Sequence, residues 1–200
     1  MWRSAISSEP PRAFPGPGRR GGKTAFLVIA LVLAAWPPAS PAKVFLTVEE
    51  ALELAFPGCE IERRTVFLTE EQLERARKLA GVEIESALAY PYDATCGGEA
   101  SGTAYLDKHR VRTMPEVLMV AVDAEGRVRR IEILDFSEPE DYIPRKVWYE
   151  QFDAHALAPE LDLKREIRGV TGATLTARAT TEAVRRVLAL HQVLQEEPPR

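Results

Sequence analysis

The residues best placed to do chemistry stand together near the end of the chain: Arg168-Gly169-Val170-Thr171-Gly172-Ala173-Thr174-Leu175-Thr176. They read as a glycine-bearing turn feeding an amphipathic helix from about Leu175 to Gln195. Ala179, Ala183, Val187, Leu190 and Leu194 share its apolar side, with Arg178, Arg185 and Arg186 largely outside. The unpaired N–H groups and positive dipole end of such a helix start suit an anion, phosphate above all. Four hydroxyls cluster there, on Thr171, Thr174, Thr176 and Thr180, and the small Gly172 and Ala173 let a ligand approach the backbone. The same residues also fit a plainer role, in which Thr174 or Thr176 only caps the helix. Elsewhere His109, His155 and His191 are scattered, and no Ser–His–Asp, Cys–His or C-x-x-C arrangement occurs. The sequence therefore names no catalytic residue and no metal ligand.

Several elements must position this segment. Thr47 with Glu50, and Thr69 with Gln72, form capping boxes that predict one helix from Val48 to Phe56 and a second opened by Thr69 and running to about Leu79, the first stopped by Pro57-Gly58 and the second by Gly81. Arg63 to Leu68 and Val82 to Leu88 read as strands, and Tyr90 to Gly102 as a turn-rich loop. The clearest β signal follows. Thr103 to Val111 is a candidate strand, and Val117 to Val122 is a continuous apolar run, as expected of a strand buried on both faces. Asp123 to Gly126 makes a turn into Val128 to Leu134, closing a hairpin. Residues 137–144 are a proline-bounded acidic loop, and Val147 to Phe152 a helical turn presenting Trp148 and Phe152 on one face. The expected fold class is α+β: an antiparallel sheet with a β-hairpin, packed by helices including a long C-terminal one.

Thr-Gly-Ala-Thr-Leu-Thr at 171–176, ahead of an amphipathic helix, resembles the attachment motif of the FMN-binding domain family. That family includes the flavin-carrying subunits of the sodium-pumping quinone reductase and of the related ferredoxin-oxidising complex. Its pattern is Asp-x-x-[Ser/Thr]-Gly-Ala-[Thr/Ser], often followed by x-[Ser/Thr]. The six-residue core would arise by chance in roughly one chain of this length in several hundred. The resemblance implies FMN joined through its phosphate to Thr174, with Thr171, Gly172, Ala173, Leu175 and Thr176 shaping the site. It implies a flavin transferase that builds the bond outside the cytoplasm from FAD. It also implies electron exchange with a membrane redox complex, a cytochrome or an iron–sulfur protein, rather than stand-alone catalysis. The family's Asp falls on Arg168 here, a cation able to pair with phosphate. Family members often carry a Glu-Thr-Pro-Gly loop after the hairpin; here Glu138 matches and the glycine does not. Tyr142 and Trp148 are candidates for a wall of the flavin ring, the alternative being that Trp148 and Phe152 are core. Arg112 and Thr113 can reach the flavin or simply face solvent. A flavin-free periplasmic binding or assembly module of the same fold is the competing reading.

Composition sets the frame. The 200 residues hold 26 basic and 30 acidic side chains, a balance that excludes a general nucleic-acid binder. That balance is uneven. Residues 1–42 carry five basic side chains against Glu9 alone, and the remaining 21 basic and 29 acidic side chains leave −8. Arg19, Arg20 and Lys23, the apolar run Thr24 to Trp36 and the small residues Ser40 and Ala42 make a cleavable export signal, with an N-terminal membrane anchor as the alternative. The organisation expected is a leader at 1–42, an N-terminal α/β portion at 43–100, a flavin-binding domain at 101–195 and a tail at 196–200. The location expected is periplasmic or otherwise extracytoplasmic, where an acidic surface favours basic redox partners. An oxidising compartment makes Cys59 and Cys96 either a disulfide or two independent thiols.

Overall fold

The computed structural model describes residues 43–196. The leader read at 1–42, and all but Glu196 of the tail read at 196–200, lie outside the described residues. Among the described residues the strands are β1 (Lys43–Val44), β2 (Glu60–Arg63), β3 (Val66–Phe67), β4 (Leu88–Ala89), β5 (Tyr92–Cys96), β6 (Glu99–Arg110), β7 (Pro115–Asp123) and β8 (Val128–Phe136). The helices are α1 (Val48–Ala55), α2 (Glu70–Ala80), α3 (Lys146–Tyr149) and α4 (Thr174–Glu196). Six strands form one antiparallel sheet in the order β1-β8-β7-β6-β5-β2, while β3 and β4 pair separately. The fold is α+β, and among the described residues no helix is long and apolar enough to cross a membrane.

The continuous apolar run in β7 explains the layering. Leu118, Val120 and Val122 face one side and pack with Tyr105, Ile131, and Ala177, Val184 and Val187 of α4. Met119 and Ala121 face the other and pack with Ala51, Leu52 and Phe56 of the α1 segment. A strand covered on both faces has no use for alternation, so every second residue need not be polar. Helix α2 then packs on the outer flank of α4, joining Leu73, Ala76 and Ala80 to Ala189 and Val193. Both capping boxes form: the Glu50 N–H donates to Thr47 Oγ1 at 3.2 Å and the Gln72 N–H to Thr69 Oγ1 at 3.2 Å, each returned by the N3 side chain. Cys59 and Cys96 are joined by a disulfide across Cα atoms 4.5 Å apart, tying the start of β2 to the end of β5.

Three expectations from sequence are corrected. Arg63 to Leu68 is not one strand: β2 ends at Arg63, and Val66–Phe67 pairs with β4 in the second sheet. The break falls at Arg64, whose N–H donates to Pro91 O and whose guanidinium pairs with Asp93. Val82 to Leu88 is mostly irregular. Its alternation arises because Val82 and Ile84 both turn toward the cluster between α2 and α4, while the Arg77 side chain bonds the Ile84 carbonyl at 2.9 Å. Tyr90 to Gly102 is not a loop but a second hairpin, β5 to β6. Its turn is Gly97-Gly98, with φ 62° and 90°, positive at both central residues as tight hairpin turns require. One sheet thus takes strands from both sides of residue 100.

Candidate functional site

Helix α4 runs antiparallel to β6, which fixes where its start lies. Going backward along the helix, the ring of His191 meets the Tyr105 hydroxyl at 3.1 Å, and Arg186 grips Asp107 through two bonds of 2.9 and 2.8 Å. Thr176 Oγ1 then donates to Tyr142 O at 2.6 Å. The N-terminus of α4 therefore stands at the end of the sheet where β6 turns into β7, beside the loop that leaves β8.

At that end the segment 168–176 is shaped as follows. Ala173 N–H closes a turn on Val170 O at 3.3 Å, and Gly172 sits at φ 88° in the left-handed region. A Cβ built on Gly172 would meet nothing within 4 Å, so the backbone opens to solvent there. Ala173 is buried, and its carbonyl accepts from the Ala177 N–H at 2.9 Å. An alanine at this position brings no side-chain cap. No side chain among the described residues bonds the N–H groups of Thr174, Leu175 or Thr176, which leaves the anion-attracting first turn of a 23-residue helix open. Thr174 and Thr171 are exposed, and the Thr174 hydroxyl donates only to Val170 O at 3.1 Å. Thr176 points inward and is spent on Tyr142; Thr180 is fully buried. The plainer role of a threonine cap is thus not taken by either Thr174 or Thr176.

Two further groups assemble at the same end. The turn between β6 and β7 carries Arg112 and Thr113, both exposed. Glu138 Oε1 accepts from the Thr113 N–H at 2.7 Å, the Met114 N–H at 2.9 Å and the Thr113 hydroxyl at 3.1 Å. The Thr113 backbone bond first, then the other donors and nearby Arg112, hold this carboxylate below its ordinary pKa against the cost of burial. Glu138 thus serves as the brace of the turn, an ionised acceptor locked in place. Tyr142 is half-buried at the end of the one-turn helix Glu140–Tyr142 that links this brace to α4.

The second group is a latch that sequence reasoning missed. The Trp148 indole N–H donates to Arg168 O at 2.6 Å, and the Arg168 N–H donates to Gln151 Oε1 at 3.1 Å. Trp148 is itself core, edge-on to Tyr149 and Phe152 at 5.0 and 5.4 Å, so the core alternative holds for Trp148 and Phe152. A shallow groove of about 470 Å³ lies beside the latch, lined by Val147, Trp148, Gln151, Glu166 and Arg168. Met114, Val147 and Leu175 are exposed apolar residues flanking these groups. Trp148→Phe removes the donor while keeping an aromatic ring. It is expected to cost about 1–3 kcal/mol through the unsatisfied carbonyl, and to speed exchange of the hydrogen-bonded amides of Arg168 and Ala173 while β7 amides stay slow. Unchanged exchange in the 168–173 turn would show that the bond holds nothing in place.

Two larger grooves lie elsewhere: one of about 580 Å³ at the far end of α4 near His191 and Gly126, and one of about 730 Å³ along β6. Among the described residues no group of three His, Cys, Asp or Glu side chains is arranged to hold a metal ion. Compared with known proteins, residues 114–189 match the family model described as FMN-binding domain. That span runs from the braced turn through β7, β8, the latch and the 168–176 segment into α4. No curated protein matches the chain.

Proposed function

Taking as premise that residues 114–189 belong to the FMN-binding domain family, we propose that this chain is an exported flavoprotein. It carries FMN covalently on Thr174 and passes electrons between redox partners at or outside a membrane. The single observation that carries the reading is the exposed Thr174 hydroxyl on the open first turn of α4, two residues after the left-handed Gly172.

The residues present fit such a group. A phosphate ester on Thr174 Oγ1 would stand where free backbone N–H groups and the helix dipole both favour negative charge. Gly172 leaves room for the chain of atoms leading away from it. Arg168, held by its own backbone through Trp148 and Gln151, offers a cation on the N-terminal side of Thr174 for the phosphate. Glu138 keeps Thr113 and Met114 fixed as one edge of the site, and Tyr142, Leu175 and Val147 offer apolar surface around it. When bound, FMN supplies one- and two-electron transfer, while the protein supplies position and electrostatics. Attachment by a flavin transferase is useful outside a cell, where a dissociated flavin is lost by dilution. The disulfide between Cys59 and Cys96 supports maturation in an oxidising compartment.

The test is co-expression of the full chain with a flavin transferase in a host that exports it, followed by intact mass measurement and in-gel fluorescence after denaturation. One added FMN mapped to Thr174 is expected. An unmodified Thr174 under conditions that modify a control substrate of the same transferase would overturn the reading. It would favour the flavin-free module, the reading motivated by Arg168 standing where the family has Asp.

A further inference from the structure

The sheet has an unfinished edge. β6 pairs with β7 along the whole of Gly102–Arg110, but β5 accompanies it on the other side only as far as Ala104, opposite Tyr92. Before Tyr92 the chain leaves the sheet to form the small ribbon of β3 with β4. The stretch 105–110 therefore has no strand beside it among the described residues, over roughly 20 Å at the rise of an extended chain.

The direction of its backbone groups follows from the pairing. The Val111 N–H donates to Met114 O at 3.2 Å, across the turn. In an antiparallel ladder bonded and non-bonded pairs alternate, so His109, Asp107 and Tyr105 also turn their amides toward β7. Pro115, which has no N–H, falls opposite Arg110 at a non-bonded position, as it must. Leu106, Lys108 and Arg110 thus point N–H and C=O outward. No backbone or side-chain hydrogen bond from the described residues meets them there.

The edge borders a groove of about 730 Å³ whose far wall includes Leu88, Tyr90 and Arg63. Leu106 and Tyr90 are exposed apolar residues facing solvent from it. Lys108, Arg110 and Arg63 have no carboxylate partner among the described residues. Arg110 bonds Thr113 O at 3.0 Å, and Arg63 lies over the rings of Tyr90 and Tyr92 at 4.4 and 5.9 Å. Of the three acids on the rim, Glu83 pairs with Arg77 and Asp107 with Arg186, which leaves Glu85 alone against Arg63, Lys108 and Arg110. In a chain that is acidic overall, this edge is locally basic.

We propose that the open edge of β6 receives an extended acidic segment of a partner protein by strand addition. Main-chain bonds form at Leu106, Lys108 and Arg110, and carboxylates at alternate positions of the segment meet Lys108 and Arg110, which lie on one face. A lysine on a bare edge can also serve only to repel other strands. Here, however, a walled groove with apolar lining stands beside the edge rather than open solvent. The proposal does not depend on flavin.

The probe is a short capped peptide alternating glutamate with valine, added to the full chain and read by amide hydrogen exchange. The amides of Leu106, Lys108 and Arg110 should exchange fast in the free chain and slow by about tenfold or more with the peptide. A peptide alternating lysine with valine should give no protection. The double variant Lys108→Glu with Arg110→Glu should lose the effect while β7 amides remain as slow as in the parent, showing that it is folded. Edge amides already slow in the free chain, equal protection by the lysine peptide, absence of protection at saturating peptide, or pairing of two copies along this edge would each overturn the proposal.

Discussion

Thr174→Ala is expected to abolish the flavin fluorescence of the denatured protein band while leaving the fold intact. The hydroxyl is exposed and its one bond, to Val170 O, is replaceable by water, so the substitution should cost less than about 1 kcal/mol. Alanine is moreover the best helix former for the first turn of α4. A large loss of cofactor with a small change in melting temperature is the signature of a residue that carries the group rather than one that supports the site. Thr174→Ser, which keeps a hydroxyl at the same place, should retain at least part of the signal. Thr176→Ala should behave in the opposite way. Its hydroxyl is buried on Tyr142 O, so its loss should destabilise by about 1–3 kcal/mol yet leave the mass adduct on Thr174. Fluorescence that survives in Thr174→Ala and disappears in Thr171→Ala would move the attachment point three residues earlier and refute the assignment.

The contrast between Thr174 and Thr176 marks what the sequence can and cannot convey. A helix start rich in small residues and hydroxyls is visible in the residue types themselves. So is the two-sided burial of β7, because an unbroken apolar run of strand length has few other uses. Which threonine faces out is set by the helix phase against a loop 34 residues away, and no local pattern encodes it. The latch on Arg168 was invisible for a related reason: its acceptor is a main-chain carbonyl, which every residue has. The β5–β6 hairpin is only half legible. Gly97-Gly98 is a hairpin signal, yet the flanking Tyr92 to Cys96 contains Asp93, which in isolation argues against a strand. In the fold Asp93 accepts from Thr103 Oγ1 at 2.9 Å and pairs with Arg64, so its polarity is satisfied across the sheet.

The arginines of α4 were the plainest miss. A helical wheel puts Arg185 and Arg186 off the apolar stripe, but it says nothing of what the neighbouring elements present there. Arg185 bonds the carbonyls of Ala80, Ala158 and Leu161 at 2.7, 2.9 and 3.0 Å, and so stitches α2 and the 158–161 turn to α4. Arg186 enters a buried charge cluster whose other members lie on β6 and β7.

Arg186→Met is expected to be the most destabilising substitution in this region. Asp107, gripped by Arg186, also accepts from His109 Nδ1, and His109 Nε2 bonds Glu116 Oε2 at 2.9 Å. Arg186, Asp107, His109 and Glu116 are all largely shielded from water, at 16, 12, 9 and 0% side-chain exposure. Burial raises the carboxyl of Asp107, but the bonds from Arg186 and His109 outweigh it and bring its pKa to about 2. Burial pulls His109 down, but its bonds to Asp107 and Glu116 prevail and hold it at about 9. Glu116 is pushed up by burial, only partly offset by His109. Two cations therefore balance two carboxylates. Removing Arg186 leaves a net buried negative charge, a loss of about 3–5 kcal/mol. The contributions of His109 and Asp107 to stability are both complete between about pH 4 and 6.5. Above that window the contribution of His109, complete below its ordinary pKa of 6.5, is lost as pH rises through about 9. Below it the contribution of Asp107, complete above its ordinary 3.8, is lost as pH falls through about 2. In Arg186→Met, acid supplies the missing positive charge by protonating Glu116, whose pKa is already raised. The gap in melting temperature between variant and parent should thus be widest near pH 8 and narrow toward pH 5. A gap of constant size across that range would mean that Arg186 acts by packing its stem and not by its charge.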